Sequence, residues 1–239
     1  MNRQILMLCA AMVAMAFGAS AQKEVSPDWV DLELPSGVLW ATHNVGADKP
    51  EAFGDHFAWG ETEPKSEYRI ANYRYFDGDE KRITKYCNKP EYGKDGYTDT
   101  LTVLEPMDDA ATVRWGNGAR TPTMDEWYEL MENTTGKVDT INGVSGYRFT
   151  AANGNSIFLP AAGAYMGGQL EDWEDFSPDW LKELTNAYEW GYYWTSTLHT
   201  NFPMGKIAFY CSPIGCFVQG YAGGRYMGFS VRPVRSAQK

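Results

Sequence analysis

The chain is short of the residues that most often carry chemistry. Among 239 residues there are 3 histidines and 4 cysteines. His43, His56 and His199 are scattered with no His-x-x-x-His spacing, so the sequence does not write locally the three or four close ligands of an ordinary zinc site. No Gly-x-Ser-x-Gly turn occurs, which leaves a hydrolase triad without its nucleophile elbow. Beyond the first residues no apolar run approaches the ~18 needed to cross a bilayer. Cations are also scarce: 21 Lys and Arg face 31 Asp and Glu, a net charge of −10. With no basic run interleaved with aromatics, that balance repels phosphate backbones and argues for no nucleic acid partner. Linkers rich in Pro, Gly or Ser, fixed-period repeats and long helical patterns are all missing, which favours one loop-rich domain.

What is present starts with MNRQILMLCAAMVAMAFGASAQ, in which Arg3 precedes an apolar run from Ile5 to Phe17 and the small residues Ala19-Ser20-Ala21. This pattern predicts a secretory signal peptide over 1–21, cut after Ala21, and hence an exported protein of the periplasm, outer surface or extracellular medium. A mobile stretch over 22–29, a single domain over 30–235 and a tail over 236–239 are expected to follow. Cys9 sits behind Leu8 rather than a small residue, a poor setting for lipid attachment. Cys87, Cys211 and Cys216 remain, and an odd number permits at most one intramolecular bridge.

Local signals place the main elements. Val38 to Ala41 follows a Pro-Ser-Gly turn and reads as a strand, whereas Ala47 to Asp99 reads mostly as loop, of a length that is uncommon unless functional or packed by its own aromatics. A short helix is expected from Asp108 or Asp109 to Gly116. In RTPTMDEWYELMENTTG, Thr123 and Glu126 have capping-box spacing, and Met124, Trp127, Leu130 and Met131 share one helical face, with Gly136 past the end. Arg120, Asp125 and Glu126 could form an acid/base group, but capping and a neighbouring ion pair account for the same residue types. Asn153-Gly154 marks a hairpin between Tyr147, Phe149 and Ile157, Leu159. Ser177 and Pro178 open a further helix carrying Trp180, Leu181 and Leu184. Short strands then follow in GYYWTST, KIAFYC, CFVQG and FSVRPVR.

The stretch FYCSPIGCF folds back on Ser212-Pro213-Ile214-Gly215, with Pro and Gly at favoured turn positions. Alternation then opposes Cys211 to Cys216 and puts both on the Ile207, Phe209 and Val218 face. Two core thiols and a cross-hairpin disulfide between Cys211 and Cys216 both fit this geometry. The acidic residues Glu171, Asp172, Glu174 and Asp175 could hold calcium, although they lack the Asp-x-Asp-x-Asp-Gly arrangement and a solvated loop explains them equally well. From Tyr188 to Phe229, Tyr and Trp alternate with small polar residues, the composition that recognition surfaces favour.

The ordered series DLELPSGVLWATHNVG, GDHFAWGET, LEPMDDAATVRWG, RTPTMDEWYEL, GNSIFLPAAG, GYYWTST and GFSVRPVR, from about Asp31 to Arg235, resembles the Fibrobacter succinogenes major paralogous domain of exported bacterial proteins. Arg120, Pro122, Glu126 and Trp127, with the closing Gly228-Phe229-Ser230-Val231-Arg232, link that family in turn to the formylglycine-generating enzyme and its non-catalytic relatives. The resemblance implies an α+β, C-type-lectin-like fold: a short twisted antiparallel sheet, two helices and long loops on one side. It implies a secreted or surface-associated binding module for a glycan or protein ligand, with His199, Asn201, Phe202, Gln219, Tyr221, Arg225 and Tyr226 as exposed contacts and no cofactor required. A structural role within a surface assembly, with no small ligand, is a separate alternative. Related oxidases use two cysteines at the same five-position offset as Cys211 and Cys216 to bind copper(I), which makes copper-dependent catalysis the alternative. Phe217-Val218-Gln219-Gly220 departs from the aromatic and basic run that follows the second cysteine in those enzymes.

Overall fold

The computed structural model describes residues 29–167, 184–212 and 215–237 and, for 221–223, the backbone alone. Among the described residues two α-helices form, both where the sequence supplies caps. Helix α1 (Ala110–Trp115) starts where the Asp109 carboxylate accepts the Ala111 N–H at 3.0 Å and stops at Gly116, whose φ of 61° a side chain would resist. Helix α2 (Met124–Asn133) carries the expected capping box between Thr123 and Glu126 and buries Trp127 and Leu130. It passes directly into strand, so Gly136 lies within the next element and not in a helix cap. The expected helix at Ser177 falls outside the described residues.

The strands are β1 (Trp29–Asp31), β2 (Val38–Ala41), β3 (His56–Phe57), β4 (Thr134–Ile141), β5 (Val144–Ala151), β6 (Ser156–Pro160), β7 (Ala162–Ala164), β8 (Thr185–Ala187), β9 (Gly191–Trp194), β10 (Gly205–Ser212), β11 (Gly215–Gly224), β12 (Phe229–Ser230) and β13 (Val234–Ser236). They form an antiparallel sheet β1-β2-β13, an antiparallel sheet β4-β5-β6, and a central sheet β11-β10-β9-β12-β3 to which β7 and β8 attach beside β9. The molecule is therefore mixed α+β with sheet dominant. Strand β4 was not legible in the sequence, because TTGKVDTI is half exposed and carries no strong alternation.

Two apolar clusters pack against opposite faces of the central sheet. On one, Tyr193, Ile207, Phe209, Cys211 and Val218 meet Trp127 and Leu130 of α2 and Phe149, Ile157 and Leu159 of β5 and β6. Trp127 stacks on Phe209 with ring centroids 4.1 Å apart. On the other, Phe57, Tyr192, Trp194, Ala208, Tyr210 and Phe229 meet the long connection from β3 to α1, whose Trp59, Tyr68, Tyr73, Tyr75, Phe76 and Tyr86 are buried. That connection is thus held by its own aromatics, and two of their buried hydroxyls find backbone acceptors: Tyr73 Oη donates to the Trp59 carbonyl at 2.7 Å and Tyr68 Oη to the His56 carbonyl.

Candidate functional site

Strand alternation assigns the central sheet's second face its side chains. Along β10, Lys206, Ala208 and Tyr210 point away from α2, while Ile207, Phe209 and Cys211 point toward it. The register sets Tyr210 opposite both Tyr192 of β9 and Phe217 of β11, and Ala208 opposite Trp194 and Gln219. The small Ala208 keeps this floor low between large neighbours.

Above that floor lies a cavity of about 410 Å³ lined by Met166, Trp190, Tyr192, Lys206, Tyr210, Phe217, Gln219, Met227 and Phe229. Its volume falls within the ~300–1,000 Å³ range of ligand pockets. The rings form one connected set: Tyr192 meets Tyr210 edge-on at 5.2 Å and Phe229 at 5.3 Å, Tyr210 stacks on Phe217 at 5.4 Å, and Trp190 meets Phe217 at 6.4 Å. Phe217 and Gln219 are exposed and mark the rim. Lys206, only 5% exposed, sets its Nζ 5.1 Å over the Phe229 ring and donates to Met227 Sδ at 3.1 Å. Burial disfavours the charged amine and pushes its pKa down to about 8.

Of the contacts expected on the late loops, Gln219 borders this cavity, and Asn201 and Phe202 are exposed beside it in sequence only. His199 is partly buried; its Nδ1 accepts the Phe202 N–H at 3.2 Å, and desolvation lowers its pKa. The Tyr221 side chain is outside the described residues. Arg225 and Tyr226 are corrections. Arg225 is fully buried, donating to the Tyr86 carbonyl at 2.9 Å and lying over Trp59 and Phe76, so it pins the long aromatic connection. Tyr226 is buried in the same cluster, against Gly167. A single sequence shows an Arg-Tyr pair in a Gly-rich turn but not the wall of rings that covers it.

The motif residues hold structure. Arg120 makes a two-pronged ion pair with Glu126, whose Oε2 also accepts the Thr123 N–H at 2.8 Å. Burial would raise the Glu126 pKa, but the Arg120 and Thr123 hydrogen bonds outweigh it and hold the carboxyl below its usual range. The Pro122 carbonyl accepts the Ser196 N–H at 2.8 Å, and Trp127 fills the core. In the closing motif, buried Arg232 donates to Asn44 and to the carbonyls of Ala41, Thr42 and Phe158.

Cys211 and Cys216, opposed in register, are joined as a disulfide with their Cα atoms 4.2 Å apart. Cys211 is buried on the α2 face and borders a void of about 60 Å³, well under the ~300 Å³ of ligand pockets. In this state the pair offers no thiolate to copper(I), whose binding would first require reduction. Cys87 is a buried free thiol, its Sγ donating to the Lys89 carbonyl. His43, His56 and His199 do not converge, and among the described residues no group of three His, Cys, Asp or Glu is placed to hold a metal. Glu171, Asp172, Glu174 and Asp175 lie outside the described residues.

Comparison of the chain with family models, curated proteins and solved structures finds no match in any of the three. Among the described residues no helix is long and apolar enough to cross a membrane. Sequence reasoning missed Lys206, Met166 and Met227. Only Lys206 had a usable signal, since the alternation in KIAFYC puts it on the face of Ala208 and Tyr210.

Proposed function

We propose that this chain is an exported, non-enzymatic binding module with a C-type-lectin-like fold, of the kind its ordered motifs resemble, and that it recognises a glycan or protein ligand through its late strands. The observation that carries this reading is the aromatic cavity on the second face of β9, β10 and β11, built from the same Tyr- and Trp-rich segment that the composition marked. Rigid rings around a partly open cavity offer contact area at low entropic cost. Motif residues with capping, ion-pairing and core-filling roles, and cysteines tied to each other against α2, support a scaffold in preference to a reaction centre.

Glycan and protein arrays probed with the purified chain, in parallel with Trp190→Ala and Phe217→Ala, test the reading. Specific binding that both substitutions weaken is expected. Blank arrays, or binding indifferent to both changes, would count against it. Aldehyde formation from cysteine-containing peptides with copper(I) and oxygen would instead establish the oxidase.

A further inference from the structure

We propose that the outer edge of β11 is a pairing surface for a second copy of this chain, the two β11 strands lying antiparallel about a two-fold axis.

The central sheet ends on β11, and among the described residues no strand pairs with its outer side. The register fixes which groups it offers there. The Cα atoms of Cys211 and Cys216 are 4.2 Å apart, the close spacing of an antiparallel pair that exchanges no backbone hydrogen bonds. Such pairs alternate along the ladder, so the N–H and C=O groups of Cys216, Val218 and Gly220 all point away from β10. The Val218 carbonyl agrees, since it accepts from the Tyr128 hydroxyl of α2 at 3.3 Å. A row of outward donors and acceptors two residues apart is what an added strand requires.

Exposed edges ordinarily carry protection, and β11 has none. Its ten residues, GCFVQGYAGG, include no charged residue and no proline. The other long edge strand, β4, carries Lys137 and Asp139, β6 ends in Pro160, and the remaining edge strands are two or three residues long. Aromatic surface flanks the β11 edge on both faces: Phe217 is exposed beside the cavity and Tyr128 on the α2 side. The His199 ring lies against Gly220, where a Cβ would come within 2.5 Å of it, and exposed Phe202 stands edge-on to that ring.

Charge selects the occupant. Chains of net charge −10 repel one another, and copies are least opposed where neither presents a carboxylate, as along β11. A charged peptide from another protein would find no counter-charge on this strand. The edge is also complementary to itself. Turned about an axis at Gly220, it sets Cys216 opposite Gly224 of the second copy and lets Gly220 exchange both its hydrogen bonds with Gly220 of that copy.

Sedimentation equilibrium on the chain expressed from Gln22 onward, from roughly 1 to 200 µM, tests the inference. A monomer–dimer equilibrium is expected. About the axis Gln219 lies diagonal to Gln219 of the second copy, within reach of long side chains, so a charge placed there meets its like. Gln219→Glu and Gln219→Lys, each checked for folding by circular dichroism, should each weaken the dimer roughly tenfold or more, and mixing the two should restore it. Hydrogen exchange on the unaltered chain should find the Val218 and Gly220 amides fast at low concentration and slow at high. A chain that stays monomeric throughout would overturn the inference and leave the edge to an extended peptide of another protein. A dimer weakened by one charge sign only, or by neither, would also overturn it, by putting the contact between unlike surfaces or elsewhere. Edge amides slow at every concentration would do the same, since the edge would then be covered within one chain.

Discussion

Tyr210 stacks on Phe217, its register partner across the β10–β11 hairpin, one position from the disulfide that joins Cys211 to Cys216. The covalent tie and the stacked pair lie on opposite faces of the same two strands. One faces α2 and the other walls the cavity, so the bond that closes the hairpin also fixes the spacing of two cavity rings.

Breaking that bond should therefore affect both stability and binding. The Cys211→Ser, Cys216→Ser double variant is expected to lose roughly 2 kcal/mol, the entropy of so short a loop, in chemical denaturation without reductant. Thiol titration of denatured, unreduced protein expressed from Gln22 onward should find Cys87 alone. Three reactive thiols would mean that the bridge does not form.

Glu126 serves the α2 cap and Arg120 at once. Glu126→Ala leaves a partly buried guanidinium without its partner and is expected to cost about 2 kcal/mol. Glu126→Gln keeps an acceptor for the cap and should cost less. Equal losses in urea unfolding would show that the retained cap acceptor contributes nothing and that the loss comes from the charge.

His56 is buried, with Nε2 3.2 Å from the Ala162 carbonyl and its ring edge-on to Tyr165. Burial disfavours the imidazolium and lowers its pKa to about 4. Between the unfolded value near 6.5 and about 4 the unfolded chain binds the extra proton, so stability falls as pH falls. The loss should reach on the order of 3 kcal/mol by pH 4. Melting temperatures from pH 7 to pH 5 should drop for the wild type and stay flatter for His56→Gln. Parallel curves would assign the acid sensitivity elsewhere.

Local chemistry made much of the fold legible. Asp109 and Gly116 bound α1, Thr123 and Glu126 open α2, and the Asn153-Gly154 turn joins β5 to β6 as their residue types demand. Hairpin alternation correctly put Cys211 with Ile207 and Phe209 on the α2 face. Strand β4 was missed because a half-exposed ribbon needs no apolar period, and its Gly136 makes way for the Tyr147 ring instead of ending a helix.

By itself the sequence determined the helix caps, the Asn153-Gly154 turn, the pairing of Cys211 opposite Cys216 and the face that Ile207, Phe209, Cys211 and Val218 share, because those follow from neighbours a few positions apart. Only the tertiary structure decided that Cys211 and Cys216 are bonded, that Arg225 and Tyr226 are buried, and that Lys206 reaches a cavity of aromatic rings. Burial is a property of what covers a residue. Here the covering groups come from segments as distant as Met166, Trp190 and Phe229, which no local pattern brings together.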